Sequence, residues 1–424
     1  MNQSVKIFLA QHGFYLDLDL NALTNEILTD MDKGLSGKKS YQDMIPTYFD
    51  PSAIKIHETS VIVIDAGGTN FRSSLVTFNK DGSASVSDFQ KTKMPGTDCE
   101  LSKKDFFSQI ARNISRFKDK CNEICFCFSY AMAITEDHDG ILTSFSKEVK
   151  APEVVGCKIG EELKKALREE GWQNELKVIL LNDTVSALLA GTGKKNYSSY
   201  IGFILGTGMN SAYVQPQKSG YGLNRQIIVC ESAKFGGFKN SDFDILLDEK
   251  SLHPGSSPFE KLCSGAYLGP LALETIQMGA REGLFSPEFS SSIEKRESLS
   301  LIEVSDFLEQ SEGEEGPYSD LFKKENANTE DCEKLFSIFD ALVNRMAQLA
   351  SCLIAAALIQ CEAGWNKEEP VCVSCNGSSF FKSYKVLERT KEYLKKLTET
   401  KKIHYEILPE EADITVGTAK AAFI

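Results

Sequence analysis

The sequence predicts an α/β protein made of two domains. Its 424 residues exceed the size of one ordinary domain, and 42% of them are hydrophobic, which is enough for a sizeable core. Short β-branched runs alternate with amphipathic segments along the first half of the chain. Two stretches, 61–78 and 200–214, share the pattern strand, turn with Gly and Thr, strand, and so indicate an internal duplication.

The helices and strands follow from the spacing of apolar residues. Residues 17–39 are predicted to form an amphipathic helix, since Leu20, Leu23 and Ile27 fall on one helical face. The predicted strands are 61–64, 71–78, 124–128, 178–181, 201–205, 212–214, 370–374 and a segment near 403–408. The predicted helices include 103–118, 158–170 and 185–190, and the last third of the chain is mostly helical. Residues 310–330 are polar and acidic, which is typical of a solvated connector.

Charge and apolar content narrow the class of protein. A net charge of −13 opposes binding to nucleic acid or to a membrane surface, because neither is neutralised without clustered Lys and Arg. The N-terminal segment lacks the features of a signal peptide, so a cytoplasmic protein is expected. The uncharged stretch 346–361 is short for a membrane span and contains Gln348, Ser351 and Gln360, which favours a buried core helix. The 12 Cys residues lie mostly singly in apolar segments and are expected to be reduced.

The first turn, 65–70, has the composition of a phosphate-binding loop. Gly67 and Gly68 allow backbone N–H groups to approach phosphate oxygens without an intervening Cβ, and Thr69 and Asn70 add donors. Asp65 ends the strand before the turn, where its carboxylate could hold Mg²⁺ through water. The simpler alternative is a glycine hairpin turn that has an Asp at its first position.

The second turn, 206–210, resembles the dinucleotide-binding pattern G-x-G-x-x-G but has Ser211 in place of the last glycine. That fingerprint opens a helix, whereas a strand is predicted after this turn, so a hairpin that wraps phosphate fits the residues better. The segment 34–40 contains Gly-Lys but fails the spacing G-x-x-x-x-G-K-[ST]. The sequence therefore weighs against a P-loop protein.

Asn182, Asp183 and Thr184 lie between a predicted buried strand and a predicted helix. An Asn or Asp in this place can cap the helix by accepting hydrogen bonds from its first free amides. A carboxylate at the C-terminal edge of a strand can equally take a proton from a hydroxyl nucleophile, since the functional sites of α/β sheets gather at that edge. From the residues alone, both interpretations stay open.

Six motifs, in order along the chain, resemble those of the hexokinase family. Their order, and their coverage from about residue 41 to the C-terminus, make the set far more specific than any single motif. The matching segments are 61–72 for the first phosphate motif, 128–130 with 140–142 and 145–147 for the sugar segment, 181–184 for the catalytic aspartate, 205–210 for the second phosphate motif, 253–261 with 264–269 for the sugar segment of the large domain, and 373–378 for the adenosine loop.

The resemblance implies a duplicated actin-like, or ribonuclease H-like, ATPase fold in which two domains close on a cleft. It implies a small domain of residues 55–185, a large domain of 186–424, and an N-terminal helical segment, 1–54, that packs on the large domain. The implied activity is that of a hexokinase, which transfers the γ-phosphate of ATP to the 6-hydroxyl of a hexose, with glucose the first candidate. ATP and Mg²⁺ are the implied cofactors, and the protein would act as a monomer or a homodimer.

The resemblance also implies roles for individual residues. Asp183 would be the general base, and Asp65 would hold Mg²⁺ through water. The residues implied in binding the sugar are Ser129, Ser146, Lys147, Asn182, Asn210, Glu231 and Glu260. The residues implied in binding the nucleotide are Asp65, Gly67, Gly68, Thr69, Asn70, Arg72, Gly206, Thr207, Gly208, Gly377, Ser378, Gly417 and Thr418.

The chain departs from the usual family pattern near these residues. Ser146 replaces a Thr, Ala131 replaces a Pro, Cys230 replaces an Asn or Thr, and Asn376 replaces an Asp. Two other interpretations share the fold: a sensor that binds hexose and ATP without turnover, and an actin-like ATPase. The retained Asp183 weighs against the sensor, and the residues at matching sugar positions weigh against the ATPase.

Overall fold

The computed structural model describes residues 1–145, 149–218, 220–311, 320–322 and 324–424. Within these residues the strands form a five-stranded sheet, a six-stranded sheet and a separate two-stranded hairpin. The strands are β1 (Ile45–Pro46), β2 (Thr59–Gly67), β3 (Asn70–Phe78), β4 (Ala84–Lys93), β5 (Glu123–Phe128), β6 (Ala131–Ile134), β7 (Gly140–Ser144), β8 (Lys177–Leu181), β9 (Ser199–Leu205), β10 (Met209–Gln215), β11 (Gln226–Val229), β12 (Val371–Asn376) and β13 (Tyr405–Ile407). The α-helices are α1 (Gln3–Gln11), α2 (Leu20–Leu35), α3 (Lys103–Asn113), α4 (Ile159–Glu169), α5 (Asp183–Ala190), α6 (Asp242–Lys250), α7 (Pro258–Lys261), α8 (Leu268–Arg281), α9 (Pro287–Ile293), α10 (Leu301–Ser311), α11 (Thr329–Gln360), α12 (Ser378–Lys382), α13 (Val386–Glu399) and α14 (Ile414–Lys420).

The two large sheets share one strand order. The five-stranded sheet runs β4-β3-β2-β5-β8, with antiparallel pairs up to β2 and parallel pairs after it. The six-stranded sheet runs β11-β10-β9-β12-β13 with the same alternation of pair types, and β1 is added beside β11. The internal duplication indicated by residues 61–78 and 200–214 is therefore confirmed, since these stretches form the equivalent hairpins β2–β3 and β9–β10.

Most of the predicted helices and strands are present, with shifted ends. The helix predicted over 17–39 is α2, which begins after its cap residue Asp19 and ends at Leu35. The apolar pattern does not predict the short strands β1, β6, β7 and β11, which offer few positions at which a period can show. The longer helices α1, α6 and α8 are not predicted either. Much of the predicted connector 310–330, namely 312–319 and 323, lies outside the described residues.

The uncharged stretch 346–361 lies in α11 and its cap residue Cys361. In the described part of the chain, α11 is the one helix long and apolar enough to span a membrane, yet 89% of its most apolar stretch is buried inside the protein. It packs against α2, α8, α13 and the strand β10. The prediction of a buried core helix is confirmed.

The two ends of the chain pack against different sheets. Near the N-terminus, Val5 of α1 and Ile27 of α2 share a core with Ile201 of the six-stranded sheet. Near the C-terminus, Ala419 of α14 shares a core with Val61 of the five-stranded sheet. The division of the chain at residues 54 and 185 stays a prediction, and the packing adds that residues 414–424 return to the sheet of the first half.

Helices α5 and α14 occupy equivalent places in the duplication, because each follows the last strand of its sheet, and they pack against each other. A Cβ at Gly417 would lie 1.9 Å from the carbonyl oxygen of Ser186, so only glycine permits this approach. The Thr418 hydroxyl donates to the Ser186 hydroxyl at 2.9 Å. Just beyond the end of α5, the Thr192 carbonyl accepts from Lys420 Nζ at 2.6 Å. These contacts join the two halves of the molecule.

Replacement of Gly417 by Ala is expected to destabilise the protein by about 3 kcal/mol, because the new methyl group meets backbone atoms that cannot rotate away. The matched control is Gly279→Ala in α8, where the nearest atoms to a new Cβ are side-chain ends of Leu284 and Phe285, at 3.0 and 3.1 Å. The control should stay within about 1 kcal/mol of the parent protein. Urea unfolding measures both, and equal losses in the two variants would contradict this explanation.

Candidate active site

The C-terminal ends of β2, β5 and β8 bring predicted site residues to one edge of the five-stranded sheet. Asp65 lies near the end of β2, Ser129 follows β5, and Asn182 follows β8. The three strands are adjacent and parallel, so their ends converge. Residues that are 53 positions or more apart in the chain, such as Ser129 and Asn182, therefore meet at this edge.

Asn182 provides the side-chain cap of helix α5. Its Oδ1 atom accepts hydrogen bonds from the Thr184 amide at 2.9 Å and from the Thr184 hydroxyl at 2.6 Å. Asp183 occupies the first helical position and is only partly buried. The capping role that the sequence left open for residues 182–184 therefore belongs to Asn182, and the helix does not depend on the Asp183 carboxylate for it.

The carboxyl group of Asp183 lies among other carboxylates. Burial, followed by the charges of Glu231 and Asp65, raises the pKa of Asp183 to about 6. Hydrogen bonds from the Thr184 backbone and the Ser129 side chain act in the opposite direction. Because this pKa lies just below neutrality, the group is mostly ionised at neutral pH and still accepts a proton more readily than an ordinary aspartate.

Asn210 and Glu231 form a pair on the six-stranded sheet. Asn210 Nδ2 donates to Glu231 Oε1 at 3.0 Å. Asn210 Oδ1 accepts from the amides of Ser211 and Ser232, at 2.8 and 3.1 Å, which orients the side-chain amide. Glu231 has a φ of 56°, which is strained for a residue with a side chain, and burial raises the pKa of its carboxyl group. Strain and a disfavoured charge at one residue are typical of a functional position.

Glu260 is held against the second turn. It lies in the short helix α7, and its Oε2 atom accepts from the Met209 amide at 3.0 Å. A Cβ at Gly208 would lie 2.7 Å from the same oxygen, so glycine leaves the room that this carboxylate occupies. The charge of Glu260 also raises the pKa of Glu231. The acidic cluster therefore consists of Asp65, Asp183, Glu231 and Glu260, and it spans both sheets.

The first turn carries a cation beside its carboxylate. Arg72 Nη1 donates to Asp65 Oδ2 at 2.7 Å, across the hairpin of β2 and β3 in which these two residues are directly paired. Asn70 begins β3 and pairs with Gly67 at the tip of the hairpin. The guanidinium of Arg72 therefore compensates one charge of the acidic cluster.

Glycines shape the tip of the first turn. A Cβ at Gly67 would lie 3.1 Å from the Cβ of Ser129, and Gly68 has a φ of 60°. The Tyr130 hydroxyl donates to the Gly68 carbonyl at 2.9 Å, and Thr69 is exposed to solvent. The predicted phosphate turn and the predicted sugar segment are thus in direct contact.

The second turn is anchored through its carbonyl groups. The Gly206 carbonyl accepts from the Gly265 amide at 2.8 Å and from the Ser379 hydroxyl at 3.0 Å. The Thr207 carbonyl accepts from the Ala266 amide at 3.1 Å, while Thr207 itself is exposed. The position of this turn is therefore set by residues 264–266 and by helix α12.

The predicted adenosine loop lies against the second turn. Gly377 has a φ of 123°, and a Cβ there would lie 2.3 Å from the Leu205 carbonyl oxygen. The Gly377 amide donates to Glu411 Oε1 at 2.9 Å, and Ser378 is exposed at the start of α12. The loop is thus tied both to the second turn and to the segment that leads into α14.

Gly417 and Thr418 are buried in the contact of α14 with α5, where both make structural contacts with Ser186. Their role at the nucleotide stays a prediction. Ser146 and Lys147 lie outside the described residues, so their part in binding the sugar also stays a prediction.

The structure adds residues that the sequence motifs do not single out. Glu411 binds the Gly377 amide although the two residues are 34 positions apart. Lys234 lowers the pKa of Glu231, and it pairs with Asp43, which is 191 positions away. No local pattern links Glu411 to Gly377 or Asp43 to Lys234, so a search for motifs in the sequence has no signal by which to find these pairs.

The described residues contain no group of three or more His, Cys, Asp or Glu side chains that could hold a metal ion by itself. Asp65 offers one carboxylate at the phosphate turn, beside Arg72. Mg²⁺ commonly takes only one or two protein carboxylates and completes its shell with water and substrate phosphates. Asp65 therefore fits Mg²⁺ that arrives with a nucleotide.

The chain resembles known proteins along most of its length. Two family models, both described as hexokinase, match residues 10–192 and 200–424. Hexokinase-2 of Rattus norvegicus is 29% identical over 377 residues, and the match covers 84% of this chain but 41% of that protein. Glucokinase of Aspergillus niger is 26% identical over 428 residues, with 87% of this chain and 86% of that protein covered. The chain thus spans less than half the length of the rat relative.

A solved structure shows the fold directly. The hexokinase of Schistosoma mansoni in complex with glucose matches 99% of both chains with a TM-score of 0.81 and 23% identity. That similarity, together with the repeated strand order, confirms the expected duplicated actin-like α/β fold.

Replacement of Asp183 by Asn is expected to stabilise the protein at alkaline pH. A carboxyl group whose pKa is higher in the folded state destabilises that state above its folded pKa of about 6, and this effect disappears below the unfolded value near 4. The gain should be about 2 kcal/mol near pH 8 and about half of that near pH 5. Urea unfolding at the two pH values measures it.

The matched control is Asn182→Ala, which removes the cap of the same helix. It should lose about 1 kcal/mol at both pH values, because the lost hydrogen bond does not titrate. If Asp183→Asn were destabilising near pH 8, or if its effect did not change with pH, the assignment of the cap to Asn182 and of the raised pKa to Asp183 would be wrong.

Proposed function

The chain belongs to the hexokinase family, and on that premise we propose that it is an ATP-dependent hexose kinase. The proposed reaction transfers the γ-phosphate of ATP to the 6-hydroxyl of a hexose. The observation that carries the proposal is Asp183, a partly buried carboxylate with a pKa raised to about 6, at the strand edge where the first turn and the acidic cluster meet.

Asp183 is proposed as the general base. A sugar hydroxyl attacks phosphorus effectively only if a base takes its proton as the new O–P bond forms. The Asp183 carboxylate would accept that proton, and the Ser129 side chain, which lowers the pKa of this carboxyl group, would orient it. The neighbouring charges of Glu231 and Asp65 favour the protonated product of this step.

The proposed sugar site uses both sheets. A hexose presents hydroxyl groups that each donate and accept, so amides, carboxylates and hydroxyls together suit it. The first sheet contributes Ser129 and Asn182, and the second contributes Asn210, Glu231 and Glu260. The Schistosoma mansoni relative was solved with glucose, which supports glucose as the first hexose to test.

The two glycine turns are proposed to hold the phosphates of ATP. The exposed Thr69 and Thr207 lie on turns whose glycines leave backbone groups accessible. Mg²⁺ bound to ATP would neutralise phosphate charge, and Asp65 is the carboxylate placed to hold it. Gly377 and Ser378, beside the second turn, are proposed to border the adenosine.

We also propose a cytoplasmic location and a monomer or homodimer. All 12 Cys residues lie in the described part of the chain as free thiols, and a long protein with so many free thiols suits a reducing compartment. Neither nucleic acid nor a membrane is a proposed partner, because the net charge of −13 opposes both.

Purified protein with Mg²⁺ and ATP should phosphorylate glucose or a closely related hexose, and Asp183→Asn should lower kcat by about 10²–10⁴, the usual value of general-base catalysis. The kcat of the parent protein should fall as the pH decreases through about 6, because the base becomes protonated. A coupled assay and single-turnover measurements over pH 5–8 provide both values. The matched control is Asp19→Asn, which changes an Asp at the start of α2 and should leave kcat unchanged.

Two outcomes would contradict the proposal in different ways. Binding of hexose and ATP without turnover in the parent protein would establish the sensor instead of the kinase. Full turnover in Asp183→Asn would keep the kinase but would remove Asp183 as its base.

Hexose should bring the two halves of the site together, because its proposed ligands lie on both sheets. Hydrogen exchange with and without glucose should show protection both in residues 129–145 and in residues 231–260. In the Asn210→Ala variant, which removes a ligand and unpairs Glu231, the same glucose concentration should protect neither segment. Protection confined to one segment of the parent protein would refute closure on the sugar.

A further inference from the structure

Cys127 lies beneath the proposed sugar site, in the middle of three parallel strands. It pairs with Asp65 of β2 on one side and with Leu181 of β8 on the other. Its side chain is fully buried, and burial raises the pKa of the thiol well above the usual range. The thiol therefore stays neutral, and it acts as a hydrogen-bonding group and not as a nucleophile.

The thiol of Cys127 lies between two hydroxyl groups. Its Sγ atom is 3.8 Å from Ser129 Oγ, within reach of a hydrogen bond to sulfur, and the Ser186 side chain lies near enough to lower the pKa of the thiol. Ser186 lies in α5, three residues after Asp183, and accepts from Thr418 of α14 at 2.9 Å. The Ser129 side chain also interacts with the Asp183 carboxyl group, whose pKa it lowers. Polar side chains thus lie between the sugar site and the contact between α5 and α14.

We infer that Cys127 is a positioning residue: its thiol orients the hydroxyl group of Ser129 toward the hexose. The inference rests on the proposed hexose site. It assigns to Cys127 no contact with the sugar and no part in proton transfer.

The thiol restricts the rotation of the Ser129 side chain about its Cα–Cβ bond. The Ser129 amide already donates to the Ala66 carbonyl at 3.0 Å, so the backbone is in place. A serine hydroxyl still has three staggered positions, and a hydrogen bond to the thiol favours one of them. A hydrogen bond of ordinary net strength shifts such an equilibrium by about fivefold.

The test compares two substitutions of nearly equal shape. Cys127→Thr keeps a group that can hydrogen-bond with Ser129 and Ser186, whereas Cys127→Val replaces it by a methyl group. Calorimetry should show a glucose Kd raised about fivefold in Cys127→Val and within about twofold of the parent in Cys127→Thr. The KM for glucose should follow the Kd, and the KM for ATP should stay unchanged in both.

Cys125 offers a matched control on the same strand. It lies two residues before Cys127 and therefore on the same face of β5, and it is equally buried. Cys125→Val and Cys125→Thr should both keep the parent glucose Kd. A merely structural role would change the fraction of active protein and the melting temperature without separating the glucose Kd of the Val and Thr variants.

Equal glucose Kd values in Cys127→Val and Cys127→Thr would overturn the inference. If Cys127→Val does not fold, Cys127→Ala also removes the thiol, and an unchanged glucose Kd in that variant would overturn the inference as well. If the parent protein binds glucose but does not phosphorylate it, the proposed function fails. The glucose Kd values of the two Cys127 variants then still test the inference. If the parent protein does not bind glucose, both the proposed site and the inference fail.

Discussion

The contact of helix α14 with helix α5 at Gly417 is the constraint on which the rest of the structure depends. With a Cβ of that residue only 1.9 Å from the Ser186 carbonyl oxygen, no larger residue permits the same approach. Helix α5 begins at Asp183, and α14 begins shortly after Glu411, which holds the amide of Gly377. One close contact between two helices therefore relates the proposed base to the loop proposed for the nucleotide. Because it also connects the two sheets, any closure of the cleft must rotate the halves about this pair of helices or reshape it.

The acidic cluster lowers the stability of the fold. The charges of Glu231 and Asp65 act on Asp183, and those of Asp43 and Glu260 act on Glu231. Burial already disfavours the charges of Asp183 and Glu231. Arg72 and Lys234 offset part of the repulsion. A neutral polyol adds no charge to this cluster, so hexose binding would leave its repulsion unchanged. The repulsion that weakens the empty fold is thus the same interaction that would favour proton uptake by Asp183 during the proposed reaction.

Because α5 and α14 are equivalent in the duplication, the residues at their N-terminal ends can be compared. In α14 the cap is Asp413, whose side chain accepts from the Val416 amide at 3.1 Å. In α5 the equivalent cap is Asn182, and the carboxylate is shifted by one position to Asp183. An amide caps as well as a carboxylate does, so the shift leaves the helix intact and places an acid at the first helical position. The two halves therefore share one topology, but the proposed base lies at the edge of only the five-stranded sheet.

Elements that depend on neighbours in the chain could be predicted from the residues alone. The turns 65–70 and 206–210, helix α2 and the buried helix α11 follow from local spacing, and the order of the motifs was enough to identify the family. Tertiary structure decided which of Asn182 and Asp183 caps α5, what surrounds Asp183, and why residue 417 is glycine. Periodicity and turn chemistry depend on residues only a few positions apart in the chain. Burial, like-charge repulsion and steric contact instead join residues as distant in sequence as Asp183 and Glu231, and they exist only after the sheets have packed.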